Sequence, residues 1–229
     1  PGTSFTASEN FRAVVATDIT NVPLGPSLRN TPHNFVISAT ISNEFWSGSK
    51  TSLTSFAQRR KGSPLSAVFD GGLSSAIGDT GGRARNLLYV PTDENDALVT
   101  FAPTFDTAGF FAFVDRAGLA RGAIQGKGGI DETWSSDLDL RFQQEIPFFG
   151  DSKAKFFLDI ENVLNLMNDD WGVKQFINTT DIASAVAIVS ATIDPNTNTY
   201  VFNQFTPPAT VPDTFDSLWR IQLGIRADF

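Results

Sequence analysis

The chain has 229 residues, a net charge of −8 and a pI near 4.6, enough for one large domain or two small ones. It has no cysteine and a single histidine, His33, which excludes disulfide frameworks, thiolate metal sites and any multi-histidine metal site built from this chain. Its cations form no block beyond Arg59, Arg60 and Lys61, so no nucleic-acid partner is expected, because such binding rests on clustered cations that neutralise phosphates.

The predicted elements are strands, marked by alternation with period two. Phe11 to Thr17 is the first candidate, with Phe11, Ala13 and Val15 in phase and Val14 off it. The second sets Phe35, Ile37, Ala39, Ile41 and Phe45 against Ser38, Thr40, Ser42 and Glu44. Thr51 to Arg60 is a weaker third, with Phe56 as its clearest apolar member. From Thr133 to Ile146, one face carries Trp134, Leu138, Leu140, Phe142 and Ile146, and the other Ser135, Asp137, Asp139, Arg141, Gln143 and Glu145. Next, Ala154, Phe156, Leu158 and Ile160 oppose Lys155, Phe157, Asp159 and Glu161. The last strand alternates Trp219, Ile221, Leu223, Ile225, Ala227 and Phe229 with Arg220, Gln222, Gly224, Arg226 and Asp228.

No apolar run approaches the length of about 20 that a spanning helix needs, whereas tilted strands of about 9–11 residues cross a bilayer. Most of these strands exceed the usual strand length of about 5–6 residues, and their second faces are densely charged. Both features favour an all-β fold, an antiparallel transmembrane β-barrel segment, over a water-soluble β-sandwich, whose strands also alternate. Connection lengths point the same way. Trp46 to Thr51 and Pro147 to Ser152 are short, whereas Lys61 to Glu132 and Asn165 to Asp216 are long and rich in Gly, Pro, Asn and Asp. Short and long connections alternate in outer-membrane barrels, with tight periplasmic turns and long external loops. Placing Phe229 in the periplasm puts each short turn inside and each long segment outside.

Charge predicts the register of the hairpin at Pro147 to Ser152. Centring it on Gly150 pairs Glu145 with Lys155, Arg141 with Asp159, Phe142 with Leu158 and Leu140 with Ile160. Such pairs each contribute roughly 0.2–1 kcal/mol. The same register sets Asp139 opposite Glu161, a like-charge pair that water, a cation or an arginine elsewhere has to relieve.

Four stretches then carry a family resemblance: Thr31-Pro32-His33-Asn34-Phe35 opening a strand, Asn86-Leu87-Leu88-Tyr89-Val90-Pro91 in a long loop, Asp159-Ile160-Glu161-Asn162-Val163-Leu164-Asn165 ending a strand, and the tail from Leu218 to Phe229. In that order they resemble the C-terminal region of TonB-dependent receptors of the Oar-like branch, over nearly the whole chain. The resemblance implies a bacterial outer-membrane protein with a plug and a barrel of about 22 strands that imports a ligand when TonB pulls on the plug. Residues 1–229 would then be the C-terminal part of the barrel, with about six strands and neither plug nor N-terminal barrel strands. Six strands would make too strained a barrel, since eight already leave a filled interior. A chain that begins at Pro1 is accordingly expected to be a processed product or fragment, or to complete a barrel with another polypeptide.

The partners so implied are the rest of the barrel and the plug, TonB through the plug, lipid and lipopolysaccharide, and the outer-membrane assembly machinery. Trp219, Ile221, Leu223, Ile225 and Phe229 would be the signal that this machinery recognises. Ser38, Thr40, Ser42, Glu44, Asp137, Asp139, Arg141, Arg220, Gln222 and Arg226 would face the lumen, mostly against the plug. Trp46, Trp134 and Trp219 fall at strand ends, where aromatic rings sit at membrane interfaces.

No enzymatic activity and no cofactor are expected. A Ser-His-Asp arrangement would rest on His33 alone, and that residue beside Pro32 suits a structural hydrogen bond. Gly126-Lys127-Gly128-Gly129 lacks the spacing of a phosphate loop. Asp93, Glu94 and Asp96, and separately Asp169 and Asp170, are oxygen donors of the type calcium prefers, but a solvated acidic loop is the simpler reading. The rival to the barrel is a soluble or surface-attached β-sandwich that serves as a binding or structural module. It predicts an apolar face buried against a second sheet.

Overall fold

The computed structural model describes residues 14–18, 20–46, 48–76, 83–147, 152–180, 182 and 184–228. In chain order, the strands of the first half are β1 (Asn34–Trp46), β2 (Ser49–Lys61), β3 (Pro64–Phe69), β4 (Tyr89–Val90), β5 (Val99–Phe101), β6 (Ala123–Ile124) and β7 (Ile130–Asp131). Those of the second half are β8 (Trp134–Pro147), β9 (Lys153–Glu161), β10 (Gln175–Ile177), β11 (Ala185–Asp194), β12 (Thr199–Phe205), β13 (Thr210–Pro212) and β14 (Arg220–Asp228). Among the described residues three helices interrupt them: α1 (Gly71–Ala76), α2 (Thr107–Ala117) and α3 (Val163–Met167). Among the described residues no helix is long and apolar enough to cross a membrane. The chain is mostly β and divides into two compact units.

The first unit gathers 1–30, 63–132 and 177–210. These include most of the two segments expected as long loops, and here the expectation is corrected. They fold into a five-stranded sheet of order β5-β12-β11-β3-β7 with a hydrophobic core of its own. The strands β11 and β12 form an antiparallel hairpin, turned at Asn198 in the left-handed region (φ 57°). Parallel pairing sets β11 beside β3 and β12 beside β5. All six residues of β3 are buried, as is half of β11, and neither shows alternation; strands covered on both faces become continuous apolar runs.

Helix α2 begins at Asp106, whose carboxylate accepts the Gly109 N–H at 2.9 Å, and ends at Gly118 in the left-handed conformation (φ 67°). Phe110, Phe113 and Val114, spaced three and four apart, form its buried face. They meet Phe101, Phe105, Phe202 and Phe205, an aromatic cluster with edge-to-face and tilted pairs at 5.2–6.4 Å. The stretch Asn86 to Val90, expected in a loop, is buried: Leu88 lies in this core, and Leu87 bridges to Val68.

The second unit (31–62, 133–176 and 211–229) is organised differently. Its five long strands form one antiparallel sheet of order β1-β2-β8-β9-β14. The hairpin register expected from charge is the one observed: Glu145 meets Lys155, Arg141 meets Asp159, Phe142 meets Leu158 and Leu140 meets Ile160. The sheet has five long strands rather than six. Residues 14–17 of the Phe11 to Thr17 candidate are irregular, and its start lies outside the described residues. Phe229 also lies outside them, as does the middle of the turn after β8.

Candidate functional site

The five-stranded sheet has two unlike faces, each built from rows of residues that run across all five strands. On one face, Ile41, Leu53, Phe142, Leu158 and Leu223 stand side by side, and next to them Ala39, Ser55, Leu140, Ile160 and Ile221. These side chains are half-buried on β8 and β9 and exposed on β1 and β14. Ile37 is 70% exposed, Ile41 75%, Leu223 65% and Ile225 75%, and the buried apolar clusters of the chain lie in the other unit. Isolated apolar residues at a surface are ordinary, but a continuous apolar sheet face left open marks an interaction surface. A sandwich would bury such a face against a second large sheet of the same unit, and among the described residues this unit holds, apart from this sheet, only the two-stranded pair β10-β13.

The opposite face is polar and self-paired. All ten side chains proposed for the lumen, Ser38, Thr40, Ser42, Glu44, Asp137, Asp139, Arg141, Arg220, Gln222 and Arg226, lie on it by register. One row reads Thr40, Thr54, Arg141, Asp159 and Gln222. Within it the two threonine hydroxyls lie 2.9 Å apart, and the Arg141 guanidinium donates two parallel 2.6 Å bonds to the Asp159 carboxylate. That fork-to-fork geometry is the strongest form of such a pair. Another row runs Glu44 beside Lys50, Glu145 beside Lys155, and Lys155 beside Arg226, while the Lys50 N–H joins the two halves by donating to Glu145 Oε2. Lys153 adds a 3.2 Å contact to Glu145, and Lys174 lies 3.2 Å from Asp137.

The like-charge pair expected at Asp139 and Glu161 is relieved on both sides. Asp139 accepts the Asn162 N–H at 2.9 Å, and Glu161 lies 3.6 Å from Arg220, its partner on β14. Asn162 ends β9 in the left-handed region (φ 52°), and its side-chain amide donates to the carbonyls of Gly172 and Ser217. Between Phe56 and this charged group lies a shallow hollow of about 270 Å³, lined by Thr54, Asp139, Arg141, Asp159 and Glu161.

Two apolar side chains lie on the polar face, the first against expectation and the second as expected. Phe56, expected as the clearest apolar member of its strand, stands opposite Ser38 and Asp139 on the polar face, and the apolar side of β2 is carried by Leu53 and Ala57. Phe157 is also on the polar face. Its ring lies over Gly224, where an added Cβ would collide with it, and the Arg141 guanidinium approaches it at 5.8 Å. Of the proposed assembly signal, Ile221, Leu223 and Ile225 lie on the apolar face and are exposed, and Trp219 precedes β14 at 45% exposure.

The exposed ring of His33 stacks with Trp134 at 6.2 Å, and the His33 carbonyl accepts the Lys61 N–H. The acidic loop at Asp93 to Asp96 is a clasp. Asp96 accepts the Tyr89 hydroxyl at 2.9 Å, the Thr92 and Leu98 N–H groups and the Thr92 hydroxyl. Among the described residues no group of three or more His, Cys, Asp or Glu is placed to hold a metal.

This clasp is pH-dependent in a defined sense. Burial pushes Asp96 up, but the Thr92 and Leu98 amides and the two hydroxyls outweigh it and hold its pKa below the ordinary 3.8. Burial first, and then Asp96, push Tyr89 up to about 12. The depressed carboxylate contributes stability that is present above the ordinary carboxylate value and lost as pH falls through its folded value. The raised phenol contributes stability that is present below 10.0 and lost as pH climbs towards about 12. Ultraviolet titration should therefore find Tyr89 still un-ionised at pH 10 and 11, and Asp96→Asn should bring its ionisation to lower pH. A Tyr89 that titrates near 10 in the folded chain would refute the clasp.

No known protein family, no curated protein and no solved structure matches this chain.

Proposed function

We propose that the chain is part of the wall of a bacterial outer-membrane β-barrel, of the TonB-dependent importer type, with its exposed apolar face against lipid and its charge-paired face towards the lumen. The observation that carries this reading is the pair of unlike faces extending across five long strands, the apolar one uncovered and the polar one satisfied by its own ion pairs. Strands of 13, 13, 14, 9 and 9 residues match or exceed the length of about 9–11 that a tilted crossing needs. Among the described residues the sheet ends on two edges without a further strand, β1 and β14. In hydrocarbon each unpaired backbone group costs several kcal/mol, so further strands from the rest of the barrel complete the wall. The segment catalyses nothing; it supplies wall, an assembly signal and, in the first unit, a folded external domain suited to capturing ligand. The plug fills the lumen against Arg141, Asp159 and their neighbours.

In this topology the two short turns are periplasmic and the first unit is outside the cell. Epitope tags inserted beside Asn95 and Asn196, both in exposed turns of that unit, should be labelled on intact cells. Labelling only after the outer membrane is broken would invert the topology. A full chain recovered in the soluble fraction without detergent would rule out the membrane altogether.

A further inference from the structure

The polar face of the long sheet carries an aromatic ring that its surroundings leave open. Phe56 stands on β2 among Ser52, Thr54, Gln58 and Arg60 and is 37% exposed. A large apolar side chain in so polar a setting is informative, because burial supplies no reason for it. Its row reads Ser38, Phe56 and Asp139 across β1, β2 and β8, and Glu161 and Arg220 continue it on β9 and β14. The ring borders the hollow of about 270 Å³, whose lining holds three carboxylates, Asp139, Asp159 and Glu161, and one guanidinium, Arg141. Asp159 and Arg141 satisfy each other through two 2.6 Å bonds. Glu161 has Arg220 at 3.6 Å. Asp139 is different: its carboxylate is held by the Asn162 N–H at 2.9 Å, and among the described residues no cation forms an ion pair with it. Three carboxylates thus face two guanidiniums, and the negative charge left over lies at Asp139, directly across from the open ring.

We propose that this hollow is a subsite for an arginine side chain of a cationic peptide, and that such peptides are the class of ligand the importer takes up. The inference rests on the importer reading above and deepens it by naming the cargo. A guanidinium lies flat on an aromatic face while its N–H edge donates to a carboxylate, and Phe56 beside Asp139 offers both partners at once. The hollow is smaller than the range of about 300–1,000 Å³ typical of sites that enclose a whole small ligand. It accepts one side chain and leaves the remainder of the ligand in the open, as a peptide allows. The row lies outward of the Arg141–Asp159 row, where β9 ends and β14 begins, so the proposed topology puts it at the mouth through which a ligand enters. Arg141, locked onto Asp159, fixes the inner wall of the hollow and does not compete for Asp139.

The test is calorimetric titration of the full chain, refolded in a neutral detergent, with the acetylated and amidated tripeptide Arg-Arg-Arg. The Glu-Glu-Glu tripeptide, spermidine and magnesium are titrated at equal ionic strength. The arginine peptide should bind and the glutamate peptide should not. Asp139→Asn should weaken binding about tenfold or more, since a hydrogen bond to a charged group is lost, while the asparagine oxygen still accepts the Asn162 N–H. Phe56→Leu should weaken it about threefold, the worth of a cation over an exposed ring. Asp170→Asn removes an exposed carboxylate of the same unit outside the hollow and should match the parent chain. Parent-like binding by Asp139→Asn or by Phe56→Leu refutes the subsite, and should one of them fail to refold, the other decides. A loss in Asp170→Asn as large as in Asp139→Asn also refutes it, because general charge attraction then explains the binding. Spermidine or magnesium binding as tightly as the arginine peptide would overturn the assignment to peptides. A chain that enters vesicles yet binds no arginine peptide sinks the subsite alone. One that stays soluble without detergent and still binds the peptide sinks the membrane reading and leaves the subsite standing.

Discussion

Replacing Phe202 with alanine should destabilise the first unit by about 3–5 kcal/mol, the range for removing a large aromatic side chain from a packed core. Phe202 is fully buried on β12 and meets Phe69, Phe101 and Phe110 edge to face, and Phe105 at a tilt. No neighbour is small and flexible enough to refill the space, so the cavity term adds to the lost transfer energy. Near-ultraviolet circular dichroism from the aromatic cluster should collapse at a lower denaturant concentration, and a protease should cut within 63–132 and 177–210. Phe215→Ala is the reference, because that side chain is 71% exposed. Equal midpoints for the two variants would mean that the first unit lacks the tight core described above.

Leu140→Arg should be the most damaging single change in the sheet. Leu140 lies midway along the central strand β8, between Ser55 and Ile160, in a row that continues to Ile221. An arginine at bilayer mid-depth costs about 2–4 kcal/mol, falling to about 0–1 near the interfaces. The matched comparison is Gln222→Arg, which puts the same side chain on the opposite face beside Asp159. That change should be tolerated, since the new guanidinium meets a carboxylate in a polar row. Refolding titrations into lipid vesicles should separate the two by about 2 kcal/mol or more if only residue 140 faces hydrocarbon. In a water-soluble protein with this face open, the gap would vanish.

The second unit was legible in the sequence because its two faces see different surroundings. Where Asp139, Arg141 and Glu145 alternate with Leu138, Leu140 and Phe142, the period survives intact, and complementary charges on β8 and β9 select a single register. The site residues followed from the same parity. The exceptions, Phe56 and Phe157, have local causes: one lines a hollow beside charged groups, and the other covers a glycine across the strand pair.

The first unit was illegible for the opposite reason. The strands β3 and β11 are covered on both sides, so Leu65 to Phe69 and Ala185 to Ala191 carry no alternation to detect. Four of its other strands have two or three residues each, and its parallel partners are far apart in sequence. Counting Gly, Pro, Asn and Asp then made the whole stretch look like connection. One signal was present and sufficient for a helix: Asp106 before, Gly118 after, and Phe110, Phe113 and Val114 at helical spacing between them. The placing of Arg59 and Lys61 on the apolar face was likewise available from parity with Leu53 and Ala57, once Phe56 is recognised as belonging to the other side.

The parallel pairing of β3 with β11 also sets a clock. Ser66 must wait for Ala185, and Val99 for Tyr200, before the sheet of the first unit can close. During synthesis the segment 63–132 therefore emerges with its apolar strand β3 and the phenylalanines of α2 unmatched, and stays so until most of the chain exists. Such distant pairings fold slowly because loop closure precedes any gain in contacts. In that interval the unfinished segment is a substrate for chaperones and proteases, and a chain truncated before β11 would leave it in that state permanently.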